Sequence, residues 1–157
     1  MAATSPEEKD FTGQSFILPH MHDTYPLIDP LKQNLSGRRV FISGASKGIG
    51  KAMAIAYARA GASYIAIAAR SDLATQKKEV EEAAKRANRQ SIPTVLSLNV
   101  DVTDWKSVKS AAEKVEAEFG GLDILINNAG CLSEFVRIVD ADPDLWWRDW
   151  EVNVKGN

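Results

Sequence analysis

The chain has 157 residues, 45% hydrophobic and 25% charged, with a formal net charge of −2. That length holds one domain with a substantial core, and the balance is that of a globular protein rather than a disordered or collagen-like one. No basic field favours nucleic acid or an anionic membrane, no apolar run approaches a membrane span or a signal-peptide core, and one cysteine excludes an internal disulfide framework; a cytoplasmic, reducing location is the expectation.

Residues 1–37 carry no helical or strand period. Pro6, Pro19, Pro26 and Pro30, four of the six prolines, fall here, so an extended arm is expected ahead of a domain at 38–157. His20, Met21, His22 and Asp23 invite a metal reading, but with only two histidines in the chain solvated arm residues are the expectation. From Val40 the pattern alternates. A strand is expected at 40–43, a helix at 47–60 closed by Gly61, and a strand at 64–68. A charged helix at 73–88, capped by Ser71 or Asp72, precedes a strand at 95–100. A helix at 104–119 puts Val108, Ala111, Ala112, Val115 and Phe119 on one stripe, and a strand follows at 122–126. Cys131 falls in the next loop, where an inert small residue is expected rather than a reactive thiol. Asp142 and Pro143 read as the cap and first residue of a last helix. Trp146, Trp147 and Trp150 lie on that helix, and their spacing predicts core packing. Alternating strands and helices predict a parallel sheet with right-handed crossovers, covered on both faces.

The stretch that organises this pattern is Ser43–Gly50, reading SGASKGIG. It joins a strand to a helix through a glycine turn. A helix N-terminus has unpaired N–H groups and the positive end of the dipole, which together suit a phosphate. Gly44, Gly48 and Gly50 can serve the turn, the approach of a pyrophosphate and the packing of helix on strand. The alternative is a glycine-rich helix entry with no ligand.

At this point the sequence resembles the short-chain dehydrogenases/reductases. Asp101-Val102, NNAG at 127–130 and NVKG at 153–156 match the family in the same order, and the resemblance covers about residues 37–157. It implies an α/β fold, a Rossmann-type doubly wound parallel sheet truncated after about four strands in the order 3-2-1-4. The cofactor crevice would lie at the carboxyl ends of the strands, between the first and fourth. Ser43–Gly50 then becomes the dinucleotide turn, with Ile49 among its cofactor contacts.

An acidic residue closing the second strand would bond the adenosine ribose and repel a 2′-phosphate. This chain has Ala68, Ala69 and Arg70 there, and in the family Lys47 sits near the same ribose. The pair implies NADP(H), with Ser46 and Ser71 as added hydroxyl donors. Each cation taken alone also reads as a solvated loop or strand-end residue. The resemblance makes Asp101 the adenine contact, with Val102 beside the ring; read without the family, Asp101 could instead cap the following helix. Ala129 and Gly130 would leave room for the ribose, and Asn127 and Asn128 would satisfy backbone groups or touch the ligand. Asn153 matches the asparagine that holds a water in the family's proton relay, and Lys155 reads as a cofactor-side cation. The implied activity is hydride transfer between nicotinamide and a ketone or secondary alcohol, by a homo-oligomer.

The family's catalytic Ser and Y-x-x-x-K pair are not in these residues. Tyr25, Tyr57 and Tyr64 are followed four positions on by Asp29, Gly61 and Ala68. An inactive fragment with partial dinucleotide binding, or a partner-binding module, is therefore the alternative. As written, the chain is expected to be association-prone.

Overall fold

The computed structural model describes residues 24–157. His20, Met21, His22 and Asp23, and with them the metal reading, lie outside the described residues, as does most of the expected arm. Its described end runs through a one-turn 3-10 helix, Pro30–Lys32, capped by Asp29. Leu35 then donates to the Ala60 carbonyl at 3.0 Å and packs on the core, fixing the entry to the first strand.

Four strands form one parallel sheet: β1 (Arg39–Ser43), β2 (Tyr64–Ala69), β3 (Thr94–Asn99) and β4 (Ile124–Ile126). Their order is β3-β2-β1-β4, as the resemblance implied. Four helices accompany them: α1 (Gly48–Arg59), α2 (Ala74–Arg86), α3 (Trp105–Phe119) and α4 (Pro143–Trp150), the last running on into a π-helical turn, Glu151–Lys155. The fold is α/β, of the Rossmann type.

The period of 2 along β2 divides the core. Ile65 and Ile67 point to one face, where Val40 and Ile42 of β1 meet Ala54, Ala58, Val80 and Ala84 of α1 and α2. Ala66 and Ala68 point to the other, beneath Ala111, Val115 and Phe119 of α3. The small residues of β2 and α1 let helix and sheet approach closely. Tyr64 stacks obliquely on Phe119, ring centroids 5.1 Å apart, and ties β2 to the end of α3.

The caps follow local chemistry. Asp104 accepts from Lys106 N at 3.0 Å and Asp142 from Asp144 N at 2.8 Å. At α2 the cap position belongs to Leu73, and Asp72 reaches only Ala74 N at 3.3 Å; Ser71 leaves the cap and faces the cleft described below. β4 begins at Ile124, and just before it Asp123 N donates to the Arg39 carbonyl at 3.0 Å. The Asp123 carboxylate accepts from Arg39 Nε at 2.9 Å, from Nη2 at 3.2 Å and from the Arg39 backbone N–H at 2.8 Å. This fork–fork pairing joins β1 to the start of the sheet edge.

The tryptophans depart from the core expectation. Trp146, Trp147 and Trp150 are 46%, 58% and 48% exposed. They pack on one another, with centroids 6.4 Å apart for Trp146–Trp147 and 5.7 Å for Trp146–Trp150, rather than on the sheet. Helical spacing put them on one helix correctly, but spacing does not say what covers them.

Candidate nucleotide-binding cleft

A cleft of about 640 Å³ opens at the carboxyl ends of the strands. In open α/β sheets this is where ligands bind, at the point where the strand order reverses. The reversal here lies at β1, flanked by β2 and β4.

The glycine turn forms the floor, and its three glycines do different things. Gly44 has φ +67°, and a Cβ there would stand 2.8 Å from the Ala129 Cα, so the turn needs glycine for conformation and for space. Gly50 is buried under the turn, where a Cβ would lie 2.5 Å from both the Gly44 carbonyl oxygen and the Asn128 amide nitrogen. Gly48, at φ +57°, has no atom within 4 Å of its Cβ position and lines the cleft. Ile49, on the first turn of α1, is 69% exposed on the same wall.

Twelve of the residues singled out in sequence line this cleft: Gly44, Ser46, Lys47, Gly48, Ile49, Arg70, Ser71, Asp101, Val102, Asn128, Ala129 and Gly130. Gly50 supports them from below. Asn127 instead lines an apolar groove of about 330 Å³ beneath β4 and α3, with Leu122 and Leu125. Lys155 is exposed, 3.9 Å from Glu151 and away from the cleft. Asn153 stands behind the cleft wall. Its Oδ1 accepts from Cys131 N at 3.0 Å, its Nδ2 donates to the Cys131 carbonyl at 2.7 Å, and a Cβ on Gly130 would come within 3.1 Å of it.

Asp101 does not cap α3, a role held by Asp104. Its Oδ1 accepts from the Thr103 N–H at 2.9 Å and the Thr103 hydroxyl at 2.7 Å. These bonds favour the carboxylate and hold its pKa below the usual range, with a smaller contribution from Arg70 across the cleft. Among the described residues Arg70 and Lys47 make no ion pair, and β2 ends without a carboxylate.

Sequence reasoning placed Ser43 at the start of the glycine turn but gave it no task of its own. This serine ends β1 and is 3% exposed, the buried polar residue among the surrounding apolar core. Its hydroxyl accepts from Asn128 N and Ala129 N, both at 3.0 Å, and donates to the Ile126 carbonyl at 3.4 Å. One side chain thus secures the turn after β4 against β1. The available signal was a serine directly before Gly44, after the apolar run Val40, Phe41 and Ile42. Asn128 returns the tie, donating to the Ser43 and Gly44 carbonyls at 3.0 and 3.2 Å.

Cys131 and Leu132 extend the wall on the β4 side. Partial burial pushes the Cys131 pKa up, helped by its hydrogen bond to Asp149 at 3.2 Å. The thiol form is favoured, in line with an inert residue. No group of three or more metal-ligating side chains occurs among the described residues, and no helix there is long and apolar enough to cross a membrane.

The family model described as short chain dehydrogenase matches residues 38–157. The short chain dehydrogenase pigC of Monascus ruber is 52% identical over 135 residues, which cover 86% of this chain and 44% of that protein. The chain thus spans about half the length of the curated relatives it matches. Among solved structures, L-sorbose reductase of Gluconobacter frateurii, complexed with NADPH and L-sorbose, superposes with a TM-score of 0.65 at 34% identity, covering 79% of this chain and 44% of that one. An NADH-dependent reductase complexed with NAD gives 0.66 at 27% identity, over 78% of this chain and 48% of that one. The family model covers most of the chain, and the chain belongs to the short chain dehydrogenases.

Proposed function

We propose that these residues supply the nucleotide-binding half of an NADP(H)-dependent oxidoreductase acting between a ketone and a secondary alcohol. The observation that carries the cofactor choice is that Lys47 and Arg70 both line the cleft, while β2 ends in Ala68 and Ala69 without an acid. Two cations attract a 2′-phosphate, and arginine can grip it with two parallel hydrogen bonds. Ser46 and Ser71 border the same corner.

The cradle fits a pyrophosphate. At Gly48 the backbone borders open cleft, so phosphate oxygens can reach the N–H groups at the start of α1. In this reading Asp101 accepts from the adenine amine with Val102 against the ring, and Ala129 and Gly130 admit the adenosine ribose. Asn128 holds the backbone of the glycine turn. Asn153 fixes the Cys131 peptide and, by resemblance, a relay water, while Lys155 stands outside the cleft lining and takes no part in this reading. When bound, the nicotinamide donates or accepts the hydride. Tyr25, Tyr57 and Tyr64 do not line the cleft, so none of them is placed to give a proton to the alkoxide there. The alkoxide itself belongs to a small carbonyl or alcohol substrate; nucleic acid and membrane are not partners in this reading, and the complete enzyme is a cytoplasmic homo-oligomer.

The test is a double substitution, Ala69→Asp with Arg70→Ser, in the intact protein or in a chimera with a family C-terminal half. A charge-assisted phosphate contact is worth about 1.5–3 kcal/mol, so preference should move toward NAD(H) by roughly tenfold to a hundredfold. An unchanged NADP/NAD ratio would overturn the cofactor choice.

A further inference from the structure

The two cations that would read the phosphate stand on separate loops, Lys47 between β1 and α1 and Arg70 between β2 and α2. A two-pronged site works only if the distance between its prongs is held. Two side chains outside the cleft lining hold the backbone at both prongs. Gln76, in the first turn of α2, donates its amide to the Ser46 carbonyl at 2.8 Å, immediately before Lys47. Asn99, the last residue of β3, donates to the carbonyl of Arg70 itself at 2.7 Å.

The position of Asn99 gives the second bond its meaning. The β2–β3 ladder ends at the Ala69–Asn99 pair, with Val100 N donating to the Ala69 carbonyl at 2.9 Å. The Asn99 side chain then takes the next carbonyl, extending the ladder by the one residue that carries the cation. Gln76 does the equivalent for the other loop from a different element, so α2 and β3 brace the two prongs across β2. A carbonyl tethered at each end restricts the φ and ψ of Lys47 and Arg70 without touching their side chains.

We infer that Gln76 and Asn99 are positioning residues for cofactor choice: they set the spacing of Lys47 and Arg70 and so the preference for a 2′-phosphate. This rests on the NADP(H) reading above and extends it to residues that never meet the ligand. Both side chains are at least partly exposed, so their loss leaves the core intact.

The experiment uses the 157-residue chain and two small probes, adenosine 2′,5′-bisphosphate and AMP, titrated by calorimetry. They occupy the adenosine end alone and differ at the 2′ position. The wild-type chain should prefer the bisphosphate. Gln76→Met and Asn99→Ala should each lower that preference about fivefold, the size of one lost neutral hydrogen bond, and leave AMP affinity unchanged in a chain that still melts cooperatively. Variants that keep the wild-type ratio overturn the inference. So does an equal loss for both probes, which would mark the bonds as merely structural. A wild-type chain with no preference for the bisphosphate would instead overturn the NADP(H) reading beneath it.

Discussion

The assignment of separate tasks to Gly48 and Gly50 can be tested by giving each a methyl group. At Gly50 an added Cβ would lie 2.5 Å from the Gly44 carbonyl oxygen and from Asn128 Nδ2, about 1 Å inside normal contact. The carbonyl is backbone in a tight turn and cannot swing aside. Moving Asn128 would cost its bonds to the Ser43 and Gly44 carbonyls, at about 1 kcal/mol each. Overpacking adds about 1–3 kcal/mol, and better helix propensity returns about 1. Gly50→Ala should therefore destabilise by about 2–4 kcal/mol. At Gly48 the new methyl meets nothing, and only the left-handed backbone is penalised, at about 1–2 kcal/mol. Its methyl would, however, enter the space reserved for the pyrophosphate. Gly48→Ala should keep most of the stability and lose tenfold or more in dinucleotide affinity. Urea denaturation with fluorescence titration of NADPH separates the two outcomes. A Gly48→Ala chain that binds as well as wild type would show that the cradle is not where phosphate sits. Wild-type stability in Gly50→Ala would refute the packing argument.

Acid should loosen the sheet edge first. Hydrogen bonds from Arg39 lower the Asp123 pKa from 3.8 to about 2, so its contribution is complete above pH 3.8 and is lost as pH falls toward 2. Asp123→Asn should flatten the stability profile over that interval, and an unaltered acid slope would remove Asp123 from the account. The 157-residue chain should also self-associate, because β4 is a sheet edge carrying exposed Leu125 beside exposed Leu122, and the α4 tryptophans are uncovered. It should not oxidise NADPH against a panel of ketones, since an absent general acid alone costs on the order of 10²–10⁴ in rate. A monodisperse monomer in light scattering counts against the first expectation, and turnover above background against the second.

What the sequence made legible was local. The strand–glycine–helix succession at 39–59 depends on backbone conformation and dipole, which residue types declare directly. The missing acid at the end of β2 is equally local. The task of Ser43 was not legible because its partners lie 85 and 86 residues away, and nothing in a strand's own pattern says that its last hydroxyl will meet a distant turn. The same holds for Gln76 and Asn99, whose amides act 30 and 29 residues upstream. The tryptophans failed differently. Helical spacing establishes which residues share a face, and burial then depends on a partner surface that the pattern does not contain.

The β4 side of the cleft depends on side-chain amides for a physical reason. β4 has only three residues, and the chain after it leaves the ladder, so its carbonyls and N–H groups need partners from elsewhere. An asparagine carries both a donor and an acceptor on a short stem and can satisfy a whole peptide. Asn153 does so at Cys131, taking its N–H and giving to its carbonyl. Asn157 donates to the Ala129 carbonyl at 3.1 Å and to the carbonyls of Val152 and Asn153, binding the end of the π-helical turn to the same loop. Asn128 only donates, to the two carbonyls of the glycine turn. The three amides link β1, the loop at 128–131 and the π-helical turn after α4 into one polar frame around the cleft. Replacing any of them by aspartate would set an acceptor against a carbonyl that now receives a donor. The shape of the wall that Ala129, Gly130 and Cys131 present to a ligand therefore depends on amides that Asn128, Asn153 and Asn157 commit to backbone.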